Sequence, residues 1–191
     1  MNKSEFDTIY HAVANNPWEG HAHETYGWWA QQNYDELWWI LDKVSKISPK
    51  KMVEIGSAHG GTLHFWDNMM GPGGLTVSVD MWAFHGVTLD FTSSKSEVVF
   101  VKADSHQTRT LGQVTALVQG SIDFLFIDGD HTYEGVKKDY EMYSPLVRKG
   151  GIIAFHDITY DTDIQVRRLF LEIEGTKDAI EITHGIGVVY K

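Results

Sequence analysis

The sequence predicts a doubly wound α/β fold: a mostly parallel seven-stranded sheet with helices on both faces and an antiparallel C-terminal strand. Three observations carry this expectation. From Lys51 onward, short apolar runs alternate with helical stretches, the order that builds parallel βα units. Runs such as 124–127 (FLFI) are apolar in succession, as strands covered on both faces are. Five successive runs also end at an acid: Glu54, Asp80, Asp104, Asp128 and Asp157. Ligands of such sheets sit at the carboxyl ends of the strands, so these acids should share one edge.

Taken in order, residues 1–50 read as a helical extension rich in tryptophan, with Trp18, Trp28, Trp29, Trp38 and Trp39. Trp28, Trp29, Leu37, Ile40, Leu41 and Val44 can share one broad helical face, which ends before Pro49. Strand 52–55 runs into a glycine-rich turn and a helix over 61–70. Further strands are expected at 75–79, 98–102, 122–127 and 151–155, with helices at 84–93, 106–119, 132–147 and 162–173. Strands 179–183 and 187–190 close the chain, separated by a connection short enough for a hairpin-like return. With no linker, repeat or low-complexity tract, residues 1–191 are expected to form a single domain whose core is 51–191.

Composition narrows the function. A hydrophobic share of 42% and a mean hydropathy of −0.25 fit a soluble globular chain. No run approaches the ~18 apolar residues of a membrane span, so no membrane partner is expected. The first residues lack a secretory signal's apolar core and cleavage site, which makes a cytoplasmic location the expectation. The absence of cysteine excludes disulfides, thiolate metal sites and a cysteine nucleophile. Net charge is −10, and basic residues cluster no further than pairs such as Lys137 with Lys138. Nucleic acid is therefore a poor partner, and a small molecule a better one.

The richest stretch is Met52 to Thr62 (MVEIGSAHGGT). Glycine has no Cβ and tolerates positive φ, so a ligand can lie against the turn's backbone. The following helix start offers unpaired N–H groups to an anion. The spacing is neither G-x-G-x-x-G nor a P-loop. E-x-G-x-x-x-G suits instead an adenosine cofactor that carries a carboxylate and no phosphate.

With these residues the chain resembles the class I S-adenosylmethionine-dependent methyltransferases over about residues 50–191. Within them it is most similar to metal-dependent small-molecule O-methyltransferases of the catechol, caffeoyl-CoA and macrolide-sugar types, and to cephalosporin-hydroxylase-like relatives. The resemblance implies S-adenosylmethionine as cofactor. Its methionine part would lie against Glu54, Gly56, Ser57, Gly60 and Thr62, and its ribose hydroxyls on Asp80. Met81, Asp104 and Ser105 would meet the adenine. A ribose diol is two donors, and a carboxylate is the acceptor pair matched to it.

The same resemblance gives meaning to 126–133 (FIDGDHTY) and 150–157 (GGIIAFHD). Metal-dependent members ligate a divalent cation with an acid after the fourth strand and two residues after the fifth. Here these are Asp128, which also borders the cofactor, with His156 and Asp157. The family's base, a Lys or His three residues beyond the first ligand, falls on His131. The chemistry is coherent: a cation lowers the pKa of an acceptor hydroxyl, and a neutral imidazole can take its proton. His156 departs from the acids used by many relatives and favours Mn, Fe or Zn over Mg.

Blander readings stand beside these. Asp80 can cap a helix, and Asp128, His156 and Asp157 can form a metal-free hydrogen-bonded cluster. His131 can belong to the turn before a helix N-capped by Asp130 or Thr132. His59, His64, His85, His106 and His184 read as surface or cofactor-adjacent groups, and His21 with His23 as a loop. The tryptophan pairs read as core, a substrate lid or a homodimer face. A dinucleotide oxidoreductase, a non-catalytic cofactor-binding relative and a metal-free methyltransferase remain the rival functions.

Overall fold

The computed structural model describes residues 1–14, 32–58, 60–81, 95–159 and 165–191. Helices α1 (Lys3–Ala14) and α2 (Tyr34–Ser45) precede strand β1 (Lys51–Ile55). There follow α3 (Gly61–Met70), β2 (Leu75–Asp80), β3 (Glu97–Lys102), α4 (Thr108–Val118), β4 (Ile122–Ile127) and α5 (Tyr133–Tyr143). A 3₁₀ turn at Ser144–Leu146 leads into β5 (Val147–His156), then α6 (Val166–Glu172), β6 (Thr176–Ile180) and β7 (Ile186–Tyr190).

The seven strands form one sheet in the order β3-β2-β1-β4-β5-β7-β6. Neighbours are parallel from β3 through β5, and β7 runs antiparallel to both β5 and β6. β1 lies between β2 and β4, so the strand order reverses there and opens a crevice at the carboxyl ends.

Although the central strands are mostly apolar, their side chains still alternate between faces. Met52, Phe124, Phe126, Ile152 and Ala154 pack with Leu37, Ile40 and Val44 of α2 and Leu63 and Trp66 of α3. Val53, Ile55, Leu125, Ile127, Ile153 and Phe155 pack with Val114, Val136, Leu169 and Phe170 of α4 to α6. Both faces are thus covered, as the sequence predicts.

α1 lies on the first face through Phe6, which is fully buried. The Lys3 ammonium stands over the rings of Phe6, Tyr34 and Trp38, at 4.6, 3.9 and 4.5 Å from their centroids. Attraction of a cation to three ring faces fastens α1 to α2. Trp38 and Trp39 are half-buried and pack against this core. Trp18, Trp28, Trp29 and the predicted helix at 84–93 lie outside the described residues, as does the start of the helix predicted at 162–173.

Some boundaries move, for physical reasons. The helix predicted to 147 ends at Tyr143, because Pro145 has no N–H to continue it, and Val147 instead pairs with Ile122 as the start of β5. The strand predicted at 179–183 sits at Thr176–Ile180. Backbone N–H groups of Ile182, Thr183 and Gly185 are claimed by the buried Glu36 carboxyl, so 181–185 form a turn rather than a strand end.

Candidate functional site

At the exit of β1 the backbone of Gly56 adopts φ 84°, and a Cβ there would lie 2.0 Å from the Asp128 carbonyl oxygen. Only glycine permits the exits of β1 and β4 to touch in this way. The Asp128 N–H donates to Ile55 O at 2.8 Å, and the Gly56 N–H to Val79 O at 2.9 Å. Asp80 then pins the turn: its Oδ2 accepts the N–H groups of Ser57 and Ala58, both at 2.8 Å. It therefore holds the glycine turn; the helix it was also expected to cap lies outside the described residues. α3 begins after Gly60, whose φ is 77° and which supplies no side-chain cap, so the first N–H groups of α3 lack a capping side chain.

Glu54 is fully buried, and its Oε1 accepts the Trp66 indole N–H at 2.8 Å. Burial pushes its carboxyl up to about 7, against the pull of donors on Thr62, Trp66 and Ser57. A raised carboxyl means that the folded state binds the proton more tightly than the unfolded one. This contribution to stability is complete below the ordinary value of 4.5 and is lost as pH rises from there through about 7. Glu54→Gln keeps an acceptor for Trp66 and removes the buried charge. Its stability relative to the parent should therefore rise between pH 4.5 and 7 and stay level above, by up to about 3 kcal/mol. Urea denaturation of both proteins at pH 5 and pH 8 reads this difference. An equal difference at the two pH values would contradict it.

At the β2 and β3 end, Asp104 Oδ1 accepts the His106 N–H and Oδ2 accepts Gln107 Nε2, both at 2.8 Å. The Gln107 hydrogen bond, with that of the His106 backbone, holds the Asp104 carboxyl below its usual range. Tyr143 donates its hydroxyl to Ser105 O at 2.9 Å. Met81 is 52% exposed, an apolar side chain open to the cleft.

At the β4 and β5 end, acids and imidazoles converge. Asp128 Oδ1 lies 3.1 Å from His156 Nδ1 and 3.4 Å from His131 Nε2. Asp157 Oδ2 lies 3.2 Å from His131 Nε2 and 3.4 Å from His156 Nδ1, and its Oδ1 is 3.4 Å from His184 Nδ1. Asp157 itself has φ 63°, a left-handed conformation that asparagine and aspartate tolerate best and that gathers at functional sites. Burial alone would push the Asp128 carboxyl up, but the His156 and His131 imidazoles hold it well below the usual range. Burial would likewise lower His156, yet the two acids raise it strongly. Asp128 and the His156 and His131 imidazoles thus favour each other's charged forms. Ligand atoms of Asp128, His131 and Asp157 lie within 4.8 Å of one another, close enough to share one ion. Thr132, not Asp130, caps α5 by accepting the Gly135 N–H at 3.1 Å.

These strand ends open onto one cleft of about 1240 Å³. Gly56, Ser57, Thr62, Asp80, Met81, Asp104, Ser105, Asp128, His131, His156 and Asp157 all line it. Glu54 and Gly60 do not; the first lies behind the wall and the second starts α3. Sequence reasoning missed Tyr10, Gln32 and Thr183, and took His184 for a surface or cofactor-adjacent group rather than one set beside Asp157. Gln32, 6% exposed, donates Nε2 to Asp128 Oδ2 at 3.0 Å, and its backbone oxygen accepts the Tyr10 hydroxyl. No local motif marks Gln32. His184, by contrast, stands in the connection between the two closing strands, at the edge where ligands are expected.

Comparison with known proteins bears on this cleft. Residues 53–158, more than half the chain, match the family model described as a methyltransferase domain. The chain is 34% identical over 111 residues to the uncharacterized protein R132 of Acanthamoeba polyphaga mimivirus, covering 55% of this chain and 50% of that one. It is 22% identical over 129 residues to rhamnosyl O-methyltransferase of Mycobacterium leprae, covering 66% and 56%. The chain thus spans about half the length of these relatives. Its fold is that of the O-methyltransferase TomG from Streptomyces achromogenes, solved in complex with SAM. The TM-score is 0.63 at 13% identity, with 100% of this chain and 92% of that one covered.

Proposed function

Because the chain belongs to the methyltransferase-domain family, we propose that it is an S-adenosylmethionine-dependent O-methyltransferase acting on a hydroxyl of a small molecule, assisted by a divalent cation. One observation carries the proposal: a single cleft is lined both by the glycine turn with Asp80 and by Asp128, His131 and Asp157. When bound, the cofactor supplies a sulfonium methyl group for transfer to oxygen.

The chain's own residues divide the remaining work. Gly56, Ser57 and Thr62 would hold the methionine part, and Asp80, which braces the turn, would accept the ribose hydroxyls. Met81, Asp104 and Ser105, which line the same cleft, would border the adenine. A cofactor held by these residues would share the cleft with an acceptor beside Asp128, His131 and Asp157, where positioning would supply much of the rate. The relative acting on a rhamnosyl group makes a sugar hydroxyl a natural acceptor for the proposal.

The donor set suits a cation. Two carboxylates and an imidazole with ligand atoms inside 4.8 Å are of the type that holds Mn, Fe or Zn. The ion would lower the pKa of the acceptor hydroxyl. His131 reaches the cleft with a single Nε2 facing both acids, so it serves either as that imidazole ligand or, where Asp128 and Asp157 hold the ion without it, as the base that takes the hydroxyl's proton, and not as both at once. A metal-free reading has its own support: His156 Nδ1 lies 3.1 Å from Asp128 Oδ1 and 3.4 Å from Asp157 Oδ2, so both acids have a polar partner without any ion.

Thermal unfolding separates these readings. S-adenosylmethionine or S-adenosylhomocysteine at a hundredfold excess over Kd should stabilise the protein by about 2.7 kcal/mol. Mn²⁺ or Zn²⁺ should add a further increment, which Asp157→Asn removes while the nucleoside increment stays. No nucleoside increment would end the proposal. A nucleoside increment without a cation increment would leave the metal-free reading.

A further inference from the structure

Resting on the cation-site reading above, we propose that Gln32 is the positioning residue of Asp128. Its amide holds Oδ2 and commits Asp128 to bind a divalent cation through Oδ1 alone, which favours small ions such as Mn²⁺ over Ca²⁺.

Gln32 stands directly before the cap of α2, and its backbone is fixed from two sides. Asn33 Oδ1 accepts the N–H groups of Asp35 and Glu36 at 3.0 and 3.3 Å, while its Nδ2 donates to Thr183 Oγ1 at 2.9 Å. From α1 the Tyr10 hydroxyl donates to Gln32 O at 3.3 Å. The Tyr10 ring meets that of Tyr34 edge-on, with centroids 4.9 Å apart. Both N-terminal helices and the β6–β7 turn therefore anchor this point of the chain. From it the side chain reaches the end of β4, where Nε2 donates to Asp128 Oδ2 at 3.0 Å. That partner settles which amide atom is the nitrogen, because an ionised carboxylate only accepts.

Stability does not explain a glutamine here. Gln32 is 6% exposed, and its Oε1 is buried with no donor among the described residues. A buried acceptor left open opposes folding by as much as a hydrogen bond favours it. An apolar side chain of the same length would fill the space without that cost. A half-satisfied amide at this position has a use if Asp128 must be oriented. The two oxygens of Asp128 are accordingly divided. Oδ2 lies on Gln32, and Oδ1 faces His131 Nε2 at 3.4 Å. His131 and Asp157 are the groups whose ligand atoms gather with that of Asp128 within 4.8 Å, so Oδ1 is the oxygen on their side. A carboxylate tied down at one oxygen binds an ion through the other. Ca²⁺ takes about six to eight oxygens and commonly uses both of a carboxylate, whereas smaller ions are held by one.

The test is calorimetric titration of the full chain with MnCl₂ and CaCl₂, using the parent protein, Gln32→Met and Gln32→Asn. Met matches the length of Gln and has no donor. Asn keeps the amide on an arm one methylene shorter, so it falls short of Oδ2. The parent should prefer Mn²⁺. Both variants should weaken Mn²⁺ by about ten- to a hundredfold, the loss seen when a group that orients a ligand is removed. Ca²⁺ should weaken by less than about threefold, because the freed Oδ2 can join it. Thermal unfolding without metal should place Gln32→Met within about 3 °C of the parent, since the lost hydrogen bond is offset by the removal of the unpaired oxygen. Should Gln32→Met not fold, Gln32→Asn reads the same ratio. Unchanged Mn²⁺ affinity in the variants would overturn the role of Gln32 and leave the cation site standing. Equal weakening of both ions, or a loss that follows a large fall in the unfolding midpoint, would make Gln32 a support of the fold and overturn the proposal. A parent that binds Ca²⁺ as tightly as Mn²⁺ would overturn the selectivity. No cation binding by a parent that still binds S-adenosylhomocysteine would remove the cation reading and this inference with it, and leave the cofactor reading intact.

Discussion

Gly56→Ala should yield little folded protein. Its new Cβ would meet the Asp128 carbonyl oxygen at 2.0 Å, the Asp128 carbonyl carbon at 2.4 Å and Gly129 Cα at 2.6 Å. All three are backbone atoms, so no rotamer change relieves the contact. The strand exits would have to separate, breaking the Asp128 N–H to Ile55 O bond between β1 and β4. An L-residue at φ 84° adds about 1–2 kcal/mol of its own. The sum should exceed about 4 kcal/mol, a large share of the ~5–15 kcal/mol that holds a domain together. Gly120→Ala is the control: its φ is 121°, but a Cβ there meets nothing within 4 Å, so only the conformational cost applies. Urea midpoints of the two variants should differ widely. Similar midpoints would mean that the β1 and β4 exits are not in contact.

Glu36→Ala should cost about 2–4 kcal/mol and loosen the turn that carries His184. Three backbone N–H groups lose their acceptor together, and that of Gly185 is buried, where an unpaired donor costs about 1–3 kcal/mol. Ile182 and Thr183 are exposed and can turn partly to water, which limits the total. Glu36→Gln retains one acceptor oxygen at the same reach and should recover most of the loss. Hydrogen exchange localises the effect: the Gly185 amide should exchange far faster in the Ala variant, while the amides of β1 and β4 keep their protection relative to global stability. Stability within about 0.5 kcal/mol of the parent would show that the carboxyl does not organise this turn.

The acids at the strand ends were legible because a parallel sheet brings every carboxyl end to one edge, and strand positions follow from apolar runs. Asp80, Asp104, Asp128 and Asp157 accordingly line one cleft. Glu54, read by the same logic, lies one residue before the end of β1, so alternation points it into the helix-covered face against Trp66. The rule places strand ends, but the parity of each residue decides which face it meets. The last strand pair shows a different limit. Residues 179–183 have the composition of a strand, and a carboxyl on α2, 146 positions earlier than Ile182, takes the N–H groups that a strand would need. Gln32 was invisible for the same reason: its partner Asp128 is 96 positions away.

From the sequence alone came the sheet, its crevice and the chemistry gathered there, because strand periodicity, glycine at a crowded turn and acids at strand ends are all consequences of local spacing. The tertiary structure alone decided how the acceptor end is finished, with Gln32 set on Asp128 and His184 on Asp157. Those contacts join residues from distant parts of the chain. Their geometry depends on how α1 and α2 pack across the sheet, which no local pattern encodes.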